Sequence, residues 1–262
     1  MKITFVGTSH GKPQADRYCS SYMLEVGNGI YFVDAGTSFF CAMRDYGMDP
    51  TRLRAVFTTH AHGDHTGGLV HGISTLVTRH PDLHFTVALT SQAMIDAYRG
   101  YIGVTLGMPG GVDPLAGVAL TLAACGEVYR DENLTVTYHK TAHLAGIGEP
   151  SYGIIVRENG GGGASILFSG DLSSALSAGD FPTAEASEPH ELFVCELAHF
   201  YPEHLEPHLA AARVQRVAIT HMNEPAKKTP LVEQMAHRLT IPVWIVQDGE
   251  ALELSKNGGD RL

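Results

Sequence analysis

Apolar and polar residues alternate from Lys2 to Val6, and apolar-rich runs from Ser21 to Val26 and from Ile30 to Asp34 are likewise bounded by turn residues, the patterns of strands. Gly27-Asn28-Gly29 predicts a hairpin turn between the last two. A helical stretch from Ser38 to Tyr46 stops at Gly47; Arg54 to Thr59 then reads as a strand and Asp64 to Thr78 as a helix. Further strands are predicted at Phe85 to Leu89, Leu134 to Tyr138, Tyr152 to Arg157, Ser165 to Ser169, Leu192 to Glu196, Arg216 to Thr220 and Val243 to Gln247. Gly160 to Gly163 reads as a hairpin turn, because strand patterns flank it at once. Gly100 to Gly117 shows no regular pattern and is expected to be a loop, either a pocket wall or plain surface. Strands precede helices in both halves without a short repeat, so one α/β domain over residues 1–262 is expected, its sheets covered by helices.

Composition narrows the function classes. With 44% hydrophobic residues among 262, the chain can enclose a sizeable core, which excludes disordered and fibrous classes. No apolar run approaches the roughly 18 residues of a membrane span, and the start at Met1 to Gly7 reads as a strand rather than a leader. No membrane association is expected, and a cytoplasmic location is the default. A formal charge of -10 with scattered Lys and Arg argues against long nucleic acid as the habitual ligand, since such binding draws on many contacts to phosphates. Cys19, Cys41, Cys125 and Cys195 are too far apart for a thiolate zinc knuckle. Fifteen histidines, by contrast, direct attention to an imidazole and carboxylate metal site.

The segment Thr59-His60-Ala61-His62-Gly63-Asp64-His65 places four ligand-type side chains where a strand gives way to a helix. His60 and His62, two apart in extended chain, point the same way. Gly63 permits the turn, after which Asp64 and His65 aim back at the same space. One corner could therefore serve two neighbouring cations, His60 and His62 one, Asp64 and His65 the other.

H-x-H-x-D-H after a strand resembles the signature of the metallo-β-lactamase superfamily, metallohydrolases built as a four-layer αββα sandwich. The resemblance calls for a later His after a strand, an Asp at a strand-end S-G-D and a His closing a strand near the C-terminus. His143, Asp171 and His221 fill those slots. It then implies that His60, His62 and His143 hold one metal and Asp64, His65 and His221 a second, with Asp171 bridging.

Phe5-Val6-Gly7-Thr8-Ser9-His10-Gly11-Lys12-Pro13, with Arg17 and Ser20-Ser21, resembles the opening of ribonuclease Z and its phosphodiesterase relatives, as does His143 followed by Pro150-Ser151-Tyr152-Gly153. Two departures stand out. Only 27 residues separate His143 from Asp171, which leaves no room for the long tRNA-gripping arm of ribonuclease Z. Its H-E-A-T-F motif aligns with Cys195-Glu196-Leu197-Ala198-His199, with cysteine in the place of the catalytic histidine and a histidine three residues past Glu196. The second variant resembles a cyclic phosphodiesterase of phosphonate metabolism with a D-C-S-H run.

The resemblance implies a metal-dependent phosphodiesterase for a small, potentially cyclic, phosphodiester. Two divalent cations about 3.5–4 Å apart would share a hydroxide as nucleophile. Zinc is the first expectation, and manganese or iron suits the same nitrogen and oxygen donors. His199 would be general acid, Glu196 would orient or tune it, and Asp64 would bind metal and accept a hydrogen bond from the nucleophile. His10 and Arg17 are expected near the site. Lys227 or Lys228 could reach a substrate phosphate; a solvated pair at a helix start is the more common explanation. His71, His80, His84, His139, His190, His204, His208 and His237 are expected on the surface. Rival readings are a carboxylic ester, thioester or lactone hydrolase of the same fold, and a metal-binding sensor module without catalysis; a homodimer is left open.

Overall fold

The computed structural model describes residues 1–107, 111, 113–160 and 163–255. In the first half, β1 (Lys2–Gly7), β2 (Ser21–Val26) and β3 (Gly29–Ala35) precede α1 (Phe39–Asp45), followed by β4 (Leu53–Phe57), α2 (Gly63–Thr66), α3 (Leu69–Arg79), β5 (Phe85–Leu89), α4 (Gln92–Leu106) and β6 (Val118–Leu122). The second half contributes β7 (Gly126–Arg130), β8 (Leu134–Thr141), β9 (Ser151–Glu158), β10 (Ser165–Phe168), α5 (Thr183–Ala186), β11 (Leu192–Leu197), α6 (Pro202–Ala211), β12 (Val217–Met222), α7 (Pro225–Arg238), β13 (Val243–Ile245) and β14 (Ala251–Glu253). One sheet has the order β14-β1-β2-β3-β4-β5-β6 and the other β13-β12-β11-β10-β9-β8-β7.

Strand alternation creates the layers. In β1 and β2, Ile3, Phe5, Tyr22 and Leu24 face the partner sheet, where Tyr138, Ile154, Phe168 and Val194 meet them. Met23 and Phe32 face outward against Phe39, Leu69 and Ile73 of the first helical layer. Leu167, Phe193, Cys195 and Ile219 do the same beneath Leu205, Val232 and Met235 of the second. Helix, sheet, sheet, helix is therefore the layer order, the αββα sandwich of the metallo-β-lactamase fold.

The hairpin at Gly27-Asn28-Gly29 forms as expected, pairing Val26 with Gly29. β9 and β10 pair antiparallel, as a hairpin requires, while residues 161–162 of its predicted turn lie outside the described ones. The helix expected from Asp64 to Thr78 is instead broken between α2 and α3. Gly68 explains the break: its N–H donates to Ala35 O at 2.7 Å, and a Cβ there would lie 2.1 Å from the Thr37 carbonyl carbon. The expected loop from Gly100 to Gly117 is helical up to Leu106, because Ile95 and Ile102, seven residues apart, bury one face of α4. A Cβ at Gly100 or Gly103 would meet nothing, so both glycines lie on the open side. Residues 108–110 and 112 of that segment lie outside the described ones.

β4 runs parallel to β3 and β5, and β10, β11 and β12 run parallel to one another. Two antiparallel pairings through β9 set β8 parallel to β10. The C-terminal ends of β4, β8, β10, β11 and β12 and the segments that follow them carry the residues expected at the site, and Tyr152 N donating to Thr59 O at 2.9 Å ties the two sheets together there.

Candidate metal centre

Each strand end delivers a side chain through identifiable local forces. After β10 the chain turns at Gly170, whose φ of +58° and whose hydrogens pressed against the Tyr152 carbonyl leave no room for a Cβ. Asp171 is thereby aimed into the space between the sheets. His221 adopts φ +49°, a conformation unfavourable for a residue with a Cβ. Its N–H donates to Thr8 O at 2.9 Å, and its Nδ1 lies 2.8 Å from Ser20 Oγ and 3.1 Å from Ser9 O, so the opening loop fixes both backbone and ring.

His60, His62, His143 and Asp171 converge, as do Asp64, His65 and His221. His143 Nε2 is 3.3 Å from His62 Nδ1, and Asp171 Oδ2 is 3.7 Å from both His60 Nε2 and His143 Nε2. On the other side, Asp64 Oδ2 is 3.6 Å from both His65 Nε2 and His221 Nε2. Asp171 faces both groups, with Oδ1 3.5 Å from His65 Nε2 and Oδ2 3.4 Å from His221 Nε2. Donors at about 2.0–2.1 Å from a tetrahedral zinc are about 3.3–3.4 Å apart, so these spacings suit ligands of a small cation. Burial strengthens that fit. His60 Nε2, His65 Nε2 and Asp171 Oδ1 are buried without a hydrogen-bond partner among the described residues, an arrangement costly unless something else satisfies them.

The opposite edges of these rings are held. Asp34, buried with φ +56°, accepts from Thr59 N at 2.8 Å and from Thr59 Oγ1, and its Oδ2 is 2.7 Å from His65 Nδ1. Thr59 Oγ1 is 3.0 Å from His60 Nδ1. Such contacts fix ring orientation and present Nε2 to the shared space. Asp180 links two arms, accepting from Ala142 N and Ser173 N at 2.9 Å each, beside His143 and Asp171.

Electrostatics divide the residues. Burial opposes charge on Asp171, yet His221, His65 and His60 hold its pKa well below the usual carboxylate range. Burial also opposes the His65 cation, but Asp171 and Asp34 raise its pKa well above the ordinary value. His60, whose pKa is pushed down by burial and then by His65, stays neutral. Burial lowers His143 as well, against the pull of Asp171. His62 is exposed and His143 half-buried, which leaves that side of the cluster open to solvent.

Beside the cluster, Glu196 Oε1 is 2.8 Å from His199 Nδ1 and accepts from Leu172 N at 2.9 Å, while Oε2 accepts from the Ala198 and His199 N–H groups. The His199 and His143 rings are 4.5 Å apart. Burial opposes the His199 cation, but Glu196 raises its pKa above the ordinary value. Cys195, at the position aligned with a catalytic histidine, faces the helical layer instead, one residue out of phase with Glu196.

The expectation for His10 is met, and several others are corrected. His10 is near the cluster, 6.3 Å from His221 ring to ring. Arg17 is not in it. It donates to Thr8 Oγ1 and Val246 O and lines a groove of about 610 Å³ between α7 and β13. Lys227 pairs with Glu224 in solvent. Lys228 is buried and bound to backbone carbonyls, so neither lysine is a free phosphate ligand. His139 and His190 are not surface residues: every polar atom of the His139 ring is sequestered, and His190 is buried between Ser165 Oγ and Glu185 O. Sequence reading missed Asp34, Asp180 and the tethering role of Lys228. For Asp34 a signal exists, a charged residue closing the fully apolar run Ile30 to Val33.

Fold and His/Asp cluster together define a metallo-β-lactamase superfamily protein. Solved structures agree: YhfI of Bacillus subtilis superimposes with a TM-score of 0.72 at 16% identity, covering 95% of this chain and 98% of that one. Human tRNase Z, short form (ELAC1), gives 0.69 at 18% identity over 97% and 99% of the two chains. Yeast PDE1 gives 0.69 at 15% over 97% and 99%. Residues 1–180 match the family model of the anti-Pycsar protein Apyc1, and the chain belongs to that family. Among curated relatives, ribonuclease Z of Limosilactobacillus fermentum is 30% identical over 155 residues, covering 55% of this chain and 46% of the relative. Ribonuclease Z of Pyrococcus furiosus is 34% identical over 76 residues, 29% of this chain and 25% of the relative. The chain thus spans less than half the length of either.

Proposed function

We propose that the chain is a metal-dependent phosphodiesterase acting on a small phosphodiester, cyclic ones included. The observation that carries this reading is the convergence of seven ligand-type side chains on one space, three of their buried polar atoms without a hydrogen-bond partner among the described residues, beside a Glu196–His199 pair. The names of the relatives favour phosphorus as the reacting atom, since both the ribonuclease Z proteins and PDE1 carry phosphodiester chemistry in their names. The formal charge of -10 favours a small substrate over a long polyanion.

His60, His62, His143 and Asp171 would hold one divalent cation and Asp64, His65, His221 and Asp171 a second, zinc first, manganese or iron with the same donors. When bound, such cations lower the pKa of water and neutralise charge on phosphoryl oxygens. The chain's own residues supply the rest. Asp64 accepts a proton from the attacking water as its oxygen bonds to phosphorus. The scissile P–O bond breaks with its electron pair on the departing oxygen, and His199, held at Nδ1 by Glu196, gives that oxygen the Nε2 proton. Asp64 then returns its proton to solvent and His199 takes one back.

Purified protein assayed on bis-p-nitrophenyl phosphate, 2′,3′-cyclic nucleotides and a panel of acyl esters, thioesters and lactones tests the reading. Hydrolysis of the phosphodiesters is expected. Turnover of the acyl panel alone would replace it with the ester hydrolase reading, and metal binding with no turnover would leave a sensor module.

A further inference from the structure

The buried ammonium of Lys228 has no place in the chemistry above, yet its surroundings are specific. Lys228 is 1% exposed near the start of α7. Its Nζ donates to Leu197 O at 2.6 Å, Phe200 O at 2.8 Å and Ala198 O at 3.2 Å, and lies 4.8 Å from the centre of the Tyr201 ring. Three acceptors and an aromatic face around one nitrogen form the environment of a cation, whose three N–H groups they match. All three carbonyls belong to the turn that carries His199.

The opposite side of that turn is held by the opposite charge. Glu196 accepts the N–H groups of Ala198 and His199, while Lys228 takes the carbonyls of Leu197, Ala198 and Phe200. The remaining carbonyl, that of His199, accepts from Ala175 N at 2.9 Å. The turn's peptide dipoles thus run between a carboxylate and an ammonium, and charge-assisted bonds of this kind are roughly twice as strong as neutral ones. A change in the turn moves His199 directly, because the ring is anchored to Glu196 only through Nδ1.

We propose that Lys228 is a positioning residue for the general acid: its ammonium sets the 197–200 turn so that His199 presents Nε2 to the leaving oxygen. This rests on the reading of His199 as the acid. A purely structural lysine and a positioning one differ in leaving-group dependence. A nitrophenolate departs without protonation, whereas a ribose alkoxide needs a proton, and general acid catalysis is worth about 10²–10⁴-fold where it is needed.

The test compares kcat on a 2′,3′-cyclic nucleotide with kcat on bis-p-nitrophenyl phosphate for the metal-loaded protein and its Lys228→Met, Lys228→Arg and His199→Ala variants, with metal content measured for each. Lys228→Met is expected to lose at least about tenfold more kcat on the cyclic nucleotide than on the nitrophenyl ester at unchanged metal content. Lys228→Arg is expected to recover part of the difference. An equal loss on both substrates, or none, in Lys228→Met while His199→Ala shows the selective loss overturns this inference and leaves the acid assignment standing. If His199→Ala shows no selective loss, the acid assignment itself falls and this inference with it. Should Lys228→Met not fold, Lys228→Gln, which keeps two of the three donors, is read by the same ratio and the same criteria.

Discussion

Two regions of this molecule bury histidine in opposite ways. Around Asp171, His60, His65 and His221 each have Nδ1 tied to the protein, to Thr59, Asp34 and Ser20 respectively, while their Nε2 atoms face carboxylates at 3.4–3.7 Å. On the outer face of the second sheet, His190 has both nitrogens engaged, by Ser165 Oγ at 2.6 Å and Glu185 O at 3.0 Å. Nearby, His139 has neither nitrogen bonded among the described residues and is pressed so closely on Gly153 that a Cβ there would lie 2.1 Å from its Nε2. In the proposed reading the contrast separates ligand from filler: His60, His65 and His221 each have one nitrogen fixed and the other directed at a shared charged space, whereas His190 has both satisfied and His139 both sealed among the described residues.

Removing the shared carboxylate is the severest way to break this distinction. Asp171→Ala is expected to lower phosphodiesterase activity by more than the 10–100-fold typical of losing a partner one shell further out, on the order of 10³-fold or greater, with loss of bound metal. Activity and elemental analysis of the same preparation check it, and full metal content in that variant would mean the two groups need no bridge.

On the filler side the signature is acid sensitivity. Burial lowers the His139 pKa to about 4, with Glu185 pulling the other way and His190 adding to the depression. Above its unfolded value of about 6.5 both states are neutral and nothing is lost; between about 6.5 and 4 the unfolded chain takes up a proton that the folded chain refuses, so stability falls as the pH falls. The loss amounts to about 3 kcal/mol at most. Denaturant titrations at pH 7 and pH 4.5 are expected to show His139→Phe losing less stability across this interval than the native chain, with no change in metal content. Equal losses would show that His139 is not the acid-sensitive group.

Asp34→Ala sharpens the ligand side. It frees the His65 ring without removing a donor from the cluster, so metal affinity is expected to fall about 10–100-fold while the fold persists, measured by competition with a chelator. The smallest effect belongs to His190→Leu. It leaves Ser165 Oγ and the Glu185 carbonyl without this partner, for an expected cost of about 1–2 kcal/mol in unfolding free energy and none in metal binding. A change in metal binding there would undo the separation between the two regions.

What the sequence discloses follows the same physical lines. His60, His62, Asp64 and His65 are legible because a strand, a glycine turn and a helix start place them locally, within six residues. His143, Asp171 and His221 become legible only through the order of a family resemblance, since nothing in their immediate neighbourhoods marks a strand-end polar residue as a ligand. Asp34 escapes notice because its partners, Thr59 and His65, are 25 and 31 residues away. Lys228 looks like a solvated residue at a helix start, and only the tertiary approach of the 197–200 turn buries it. The three strands not anticipated, β6, β7 and β14, all lie at sheet edges, where one side lacks a partner and the period-2 signal weakens. Cys195 shows the converse: the regular alternation of β11 places it with Phe193 and Leu197 in the helical layer, one residue out of phase with Glu196, which the alignment of motifs alone does not reveal.

The most direct test is the metal stoichiometry of the protein purified without chelators, measured by elemental mass spectrometry alongside amino-acid quantification. Two divalent ions per chain are predicted. A native, folded chain that holds none, and takes up none when zinc, manganese or iron is supplied, would contradict the account.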